Sequence, residues 1–146
     1  EYANDLCGGG LLPRRPLDRA GPRPLLAWQH AGLSGLCARV SFESAFYPER
    51  RAMSDDERRD PARVLDAWEA ALRRSGGPWL CGGLSLADLA FVPTVVRLFA
   101  HAPDTGAAPM AAAWAQHLLQ RPSVREWMRD AERLPPVWLD DYRRPG

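Results

Sequence analysis

Residues 79–98 read Trp-Leu-Cys-Gly-Gly-Leu-Ser-Leu-Ala-Asp-Leu-Ala-Phe-Val-Pro-Thr-Val-Val-Arg-Leu. The glycine pair Gly82-Gly83 interrupts the chain, and Ser85 and Asp88 follow at capping-box spacing. A Ser at the N-cap accepts from the backbone N–H three residues on, and an acid at that position reaches back to the N-cap N–H. Leu84 and Leu89 stand where a hydrophobic staple would form, and Asp88 sits at the positive end of the helix dipole. The pattern predicts a helix that starts sharply after Ser85 and runs to Ala100. Along it the only charges are Asp88, used in the cap, and Arg97. A helix apolar on nearly every side is covered on nearly every side, so this is a central helix. Pro93 removes one backbone hydrogen bond to the carbonyl of Leu89 and predicts a bend there.

Working outward, Ser54 and Glu57 form a second capping box, with Asp55 and Asp56 in the first turn. Val64, Leu65, Trp68, Ala71 and Leu72 follow at helical spacing, with Arg63, Asp66, Glu69, Arg73 and Arg74 assigned to the opposite face. Gly76-Gly77-Pro78 closes this helix. Residues 110–120 read as an alanine-rich helix carrying Trp114, Leu118 and Leu119. Ser123 and Glu126 give a third capping box, opening a short helix with Trp127 and Met128. Upstream, residues 7–16 hold three glycines and two prolines and read as an exposed linker. Regular helix is expected from Pro24, at N1, to the aromatic run Phe42, Phe46 and Tyr47 before Pro48. No segment alternates with period two, so the expected fold class is all-α.

Residues 24–38 carry no formal charge, although a quarter of the chain is charged. At about 100° per residue, Leu25, Leu26, Leu33, Leu36 and Val40 share one side of a helix. His30, Ser34, Cys37 and Ser41 form a polar, uncharged stripe beside it. Such a helix is covered by its own domain, by another domain or by a second subunit.

With 146 residues, 25% charged and 46% hydrophobic, the chain has the length and composition of one globular domain. A net charge of +1 with scattered basic residues leaves no stripe to neutralise a run of phosphates, so no nucleic-acid partner is expected. All 19 basic residues are Arg, which excludes lysine chemistry within the chain. Cys7, Cys37 and Cys81 fit neither a disulfide framework nor a metal site, so no metal is expected. Neither a signal peptide nor an apolar run of membrane length is recognisable, and the expectation is a cytoplasmic protein without membrane contact.

A Gly followed by Ser85-Leu86-Ala87-Asp88 at the head of a buried helix resembles the C-terminal helical domain of glutathione S-transferases. Leu11-Leu12-Pro13, then Arg19-Ala20 and Trp28, are similar to the family's linker and the opening of that domain's first long helix. Arg121-Pro122-Ser123-Val124 before Trp127 is similar to the turn into its last helices. Glu1-Tyr2-Ala3 resembles the end of the thioredoxin-like domain that precedes the linker in this family. The resemblance implies that residues 1–16 are the end of that domain's last helix plus the linker, and that residues 17–146 are the helical domain with its tail. The chain also starts without Met, and it is expected to be the C-terminal part of a longer, homodimeric glutathione transferase. The preceding domain would bind glutathione and activate its thiol against a small electrophile, while this domain would shape the electrophile pocket and the dimer interface. The alternative is a non-catalytic scaffold or dimerisation module with the same fold.

No catalytic residue is assigned within the chain. Ser85 and Asp88 are structural, their spacing being that of a cap. His30, Ser34 and Cys37 are candidates for a pocket wall, an interface or plain helix packing, with no acid nearby in sequence to orient His30. Arg97 either pairs with an acid, reaches the surface or meets an anionic substrate. Trp138 and Tyr142 are candidates because the family's tail often folds back over the cleft. Trp28, Trp68, Trp114 and Trp127 lie in helical patterns and are expected to pack in the core.

Overall fold

The computed structural model describes residues 1–50, 52–101 and 103–139. Along them run α1 (Tyr2–Leu6), α2 (Pro22–Ala31), α3 (Ser34–Arg39), α4 (Asp55–Ser75), α5 (Leu86–Ala90), α6 (Val92–Phe99), α7 (Pro109–Leu119) and α8 (Pro122–Glu132). Two 3₁₀ turns, Asp18–Ala20 and Glu43–Phe46, join them. No strand forms among the described residues, and the domain is all-α as expected.

The longest helix, α4, starts at the predicted capping box: Ser54 Oγ accepts the Glu57 N–H at 3.3 Å, and the Glu57 carboxylate accepts the Ser54 N–H at 2.8 Å. It ends at Gly76, whose φ of 77° only glycine adopts readily. Val64, Leu65, Trp68, Ala71 and Leu72 are all buried, and α7 packs along this face. The rings of Trp68, Phe91 and Trp114 meet tilted or edge-on at centroid distances of 4.9–6.5 Å, and Trp28 reaches Phe91 at 5.6 Å. Edge-on aromatic packing of this kind adds to the burial of the rings themselves.

Several local expectations are corrected. The central segment is two helices: α5 stops at Ala90, the Phe91 N–H turns to Asp88 O at 3.2 Å, and α6 begins at Val92. Pro93 offers no N–H to Leu89, and the chain resolves this by breaking two residues ahead of the predicted bend, at a fully buried Phe91. Residues 84–100 nevertheless include no exposed position, so the expectation of a covered central segment holds. The first long helix also breaks. It opens at Pro22, not Pro24, pauses at Gly32 and Leu33, and ends at Arg39. A Cβ on Gly32 would lie 2.3 Å from Trp28 Cδ1, so only glycine lets Trp28 fold against the core here.

At α8, Pro122 occupies N1 and Arg121 is the extended N-cap, so Ser123 lies inside the helix and forms no capping box with Glu126. Trp127 is 41% exposed and stacks on Phe42 at 5.5 Å, outside the core expected for it. Glu69, assigned to the polar face of α4, turns inward: it is buried and accepts the Ala111 N–H at 2.9 Å, capping α7 from a neighbouring helix. The linker is partly docked. Leu12 is buried, Leu11 O accepts the Leu86 N–H at 2.8 Å, and Asn4 Oδ1 accepts the Leu11 N–H at 2.9 Å. The free N–H groups at the start of α5 supply the donor that holds it.

Candidate functional site

Two adjoining grooves share the 3₁₀ turn Glu43–Phe46 as a common wall. Ser41 Oγ accepts the Ser44 N–H at 3.1 Å, and the Ser44 hydroxyl donates to Ser41 O at 2.7 Å. That hydroxyl proton being used, His101 Nε2 at 3.1 Å is the donor to Ser44 Oγ, which ties the end of α6 to the turn. The Arg50 guanidinium donates to Ala45 O at 2.7 Å from the outer side. Phe42 and Phe46 are thereby presented, ring edge to ring face, at 5.2 Å.

The first groove, of about 460 Å³, is floored by Phe46, Val96, Phe99, Leu119 and Met128, with Arg125, Arg129 and Glu132 on its rim. The second, of about 470 Å³, lies between Phe42, Phe46 and the returning tail at Leu134, Pro135, Pro136 and Val137. A buried Tyr47 holds that tail. Its hydroxyl donates to Val137 O at 2.8 Å and accepts the Leu139 N–H at 2.9 Å, and its ring stacks on Trp138 at 4.6 Å. The tail therefore folds back over the 3₁₀ turn.

The stripe of His30, Ser34, Cys37 and Ser41 is not assembled, because the break at Gly32 shifts the helical phase. His30 and Ser34 are exposed, the Ser34 hydroxyl donating to Ala31 O at 3.3 Å. Cys37 is half-buried against the core, and Ser41 is buried within the 3₁₀ turn. None of these lines either groove. Arg97 donates to Pro93 O and to Val40 O, each at 3.4 Å, so its charge rests on the C-cap carbonyl of α3. Trp138 does not line the second groove but stacks on Tyr47 next to Val137, which does, and Tyr142 lies outside the described residues. The residues that α2 and α3 leave exposed include a run that is small and uncharged, Ala27, His30, Ala31, Ser34, Gly35 and Ala38, with exposed Arg23 and Arg39 at its two ends.

Asp88 does more than cap α5. Fully buried, it accepts the Ser85 N–H at 2.8 Å and the Ser85 hydroxyl at 2.7 Å on one oxygen. Its other oxygen accepts the Leu80 N–H and the Trp114 indole N–H, both at 2.9 Å. Burial pushes the nearby Cys81 thiol up, the Asp88 charge adds to this, and a hydrogen bond with Ser85 opposes it, so Cys81 is held away from thiolate chemistry. Among the described residues no group of His, Cys, Asp and Glu is arranged to hold a metal ion, and no helix is long and apolar enough to cross a membrane.

The groove residues Phe46, Arg125 and Arg129, and Tyr47, which holds the tail over the second groove, carry no site signal of their own in the sequence. Arg125 and Arg129 do stand one turn apart beside Met128, a pattern that marks one helix face. Nothing in the sequence pairs that face with Phe46.

Residues 62–130 match the family model for the glutathione S-transferase C-terminal domain. A curated relative, the glutathione S-transferase-like protein OpS6 of Beauveria bassiana (strain ARSEF 2860), is 33% identical over 109 residues, covering 68% of this chain and 50% of that protein. The chain thus spans about half the length of that relative. The solved structure of Ure2p in complex with glutathione matches with a TM-score of 0.57 at 22% identity, over 88% of this chain and 60% of that one, a likeness of fold. With the buried Ser85/Asp88 cap, the central α5–α6 segment and these matches in agreement, the chain carries a C-terminal helical domain of the glutathione S-transferase family.

Proposed function

We propose that this chain is the electrophile-binding half of a glutathione S-transferase-like protein. The observation that carries the reading is the second groove, a mostly apolar cleft of about 470 Å³ with Glu43, Arg50 and Glu132 also in its lining, roofed by a tail that Tyr47 holds in place. Pockets for small apolar substrates are concave and mostly apolar, with a few polar groups at the edge. In this reading residues 1–16 close a preceding thioredoxin-like domain and lead into the helical domain at residues 17–146. Support comes from α1, whose outer residues Tyr2 and Leu6 are 77% and 68% exposed while Arg19 and Arg23 clamp its acids to this domain. Glutathione binds that preceding domain, which supplies the thiol-activating group. The uncharged face of α2 and α3 packs in a homodimer, and the protein works in the cytoplasm.

The test is the chain joined to its upstream coding sequence, assayed for glutathione conjugation with an aryl halide. Conjugation whose KM for the aryl halide rises in Tyr47→Phe, with KM for glutathione unchanged, supports the reading. No thiol consumption with any electrophile in a broad panel leaves the exposed uncharged face as the working surface, and the domain is then a scaffold.

A further inference from the structure

The helix α1 brings no apolar side chain into the core. Of residues 1–8 Asn4 alone is buried, while Tyr2 and Leu6 face outward. What holds α1 is polar: Arg23 meets Glu1 at 2.9 Å, Arg19 meets Asp5 at 2.9 Å and Glu1 at 3.6 Å, and Asn4 Oδ1 accepts the Leu11 N–H at 2.9 Å. Ion pairs at an exposed surface are individually weak and are screened by salt. Directly after α1, Gly8, Gly9 and Gly10 have φ of 80°, 79° and 108°, and a Cβ on any of them would meet nothing within 4 Å. No packing fixes such a run, and ordering it costs glycine more backbone entropy than any other residue. The Gly8 and Gly9 N–H groups bond back to Asp5 O and Asn4 O, so they travel with α1.

Past the glycines the chain is anchored. Leu12 is buried, Leu11 O accepts the Leu86 N–H at 2.8 Å, and Arg19 Nε donates to Pro13 O at 2.8 Å. The contact with Pro13 keeps the Arg19 guanidinium in place when α1 leaves. We infer that Gly8–Gly10 is a pivot and that the Arg19 and Arg23 ion pairs are a salt-sensitive latch, so that α1 swings free of the helical domain while Leu11 and Leu12 stay docked. Screened contacts on one side and glycine entropy on the other keep the two positions close in free energy, and ionic strength sets which is populated. Every residue involved belongs to this chain, so the inference stands whether or not the protein conjugates glutathione.

Amide exchange and ¹⁵N relaxation are followed in the full chain near neutral pH as salt rises from about 20 mM to about 0.5 M, across which the screening length falls from roughly 20 Å to roughly 4 Å. The Leu11 amide is expected to exchange about threefold faster or more at high salt, with the Leu86 amide, which bonds to Leu11 O, unchanged. Residues 2–10 are expected to gain motion and Leu12 none. Arg23→Glu is expected to bring the fast Leu11 exchange to low salt; it lies in the exposed first turn of α2, where an acid suits the helix dipole. Arg15→Glu makes the same change of charge at an arginine paired with Asp18 on the anchored side, and is expected to leave Leu11 exchange as it was. The inference is overturned by Leu11 exchange that salt leaves unchanged, or by Arg23→Glu acting no more strongly than Arg15→Glu. It is equally overturned if Leu86 exchange or Leu12 motion rises along with Leu11, because the linker is then released as a whole and Gly8–Gly10 is no pivot.

Discussion

Asp88 is legible in the sequence as a cap and illegible as a hub. Its spacing from Ser85 announces the start of α5, but nothing local says that Leu80 N–H and the indole of Trp114, 26 positions away, donate to its second oxygen. Asp88→Ala leaves those donors buried and unpaired, each a cost of about 1–3 kcal/mol, so a loss of at least about 3 kcal/mol is expected by urea denaturation. Asp88→Asn keeps one acceptor oxygen and is expected to lose clearly less. A change no greater than that of an ordinary N-cap, about 1 kcal/mol, would restrict Asp88 to capping. Gly32 makes the same point for backbone. Gly32→Ala sets a Cβ 2.3 Å from Trp28 Cδ1 and is expected to destabilise by about 1–3 kcal/mol. Gly35→Ala, within α3 and with nothing nearer than the Arg39 guanidinium at 3.6 Å, is expected to be neutral or stabilising by up to about 1 kcal/mol. Thermal denaturation of the two variants side by side decides this, and equal effects would remove the packing role of Gly32.

Helices whose signals lie within their own residues are legible in the sequence: α4 carries its own capping box and its own Gly76 stop, and both are found in place. Elements that borrow their ends from elsewhere are less legible. α7 has no side-chain cap of its own and takes Glu69 from α4 as the acceptor for Ala111 N–H. Glu69→Ala is expected to destabilise by about 1–3 kcal/mol and to speed amide exchange in the first turn of α7, while Glu69→Gln, which keeps an acceptor, restores most protection. Unchanged exchange at Ala111 in Glu69→Ala would contradict the cross-helix cap. α1 is likewise held by partners remote in sequence. Hydrogen bonds from Arg23 and Arg19 hold the Glu1 and Asp5 carboxyls below their ordinary values of 4.5 and 3.8. Groups whose folded pKa is depressed stabilise above the unfolded value and lose that contribution as pH falls through the folded one. The docking of α1 is therefore expected at full strength above pH 4.5 and to loosen below pH 3.8, earlier in high salt because the pairs are exposed. Amide exchange at Leu11, whose N–H is held by Asn4, reports it, and pH-independent protection between 3 and 6 would contradict it.

For the whole molecule, the tail is the element most dependent on assembly. Tyr47→Phe removes both hydrogen bonds to residues 137 and 139 and is expected to make residues 134–139 sensitive to limited proteolysis, with a global stability loss of only about 0.5–1.5 kcal/mol. A tail equally resistant in the variant would transfer its anchoring to the Trp138 stack. The sequence by itself determined the all-α class, the central covered segment from Ser85 to Ala100, the caps at Ser54 and Ser85 and the aromatic core of Trp68 and Trp114. These are read from periodicity, capping and composition, all of which act within a few turns of chain. Only the tertiary structure decided that the His30, Ser34 and Cys37 stripe breaks apart, that Glu69 and Asp88 join separate helices, and that Phe46 comes to face Arg125 and Arg129 across a groove. Those outcomes depend on which helices pack together and on one steric conflict, Trp28 against any side chain at position 32, and such long-range geometry leaves no periodic trace in sequence.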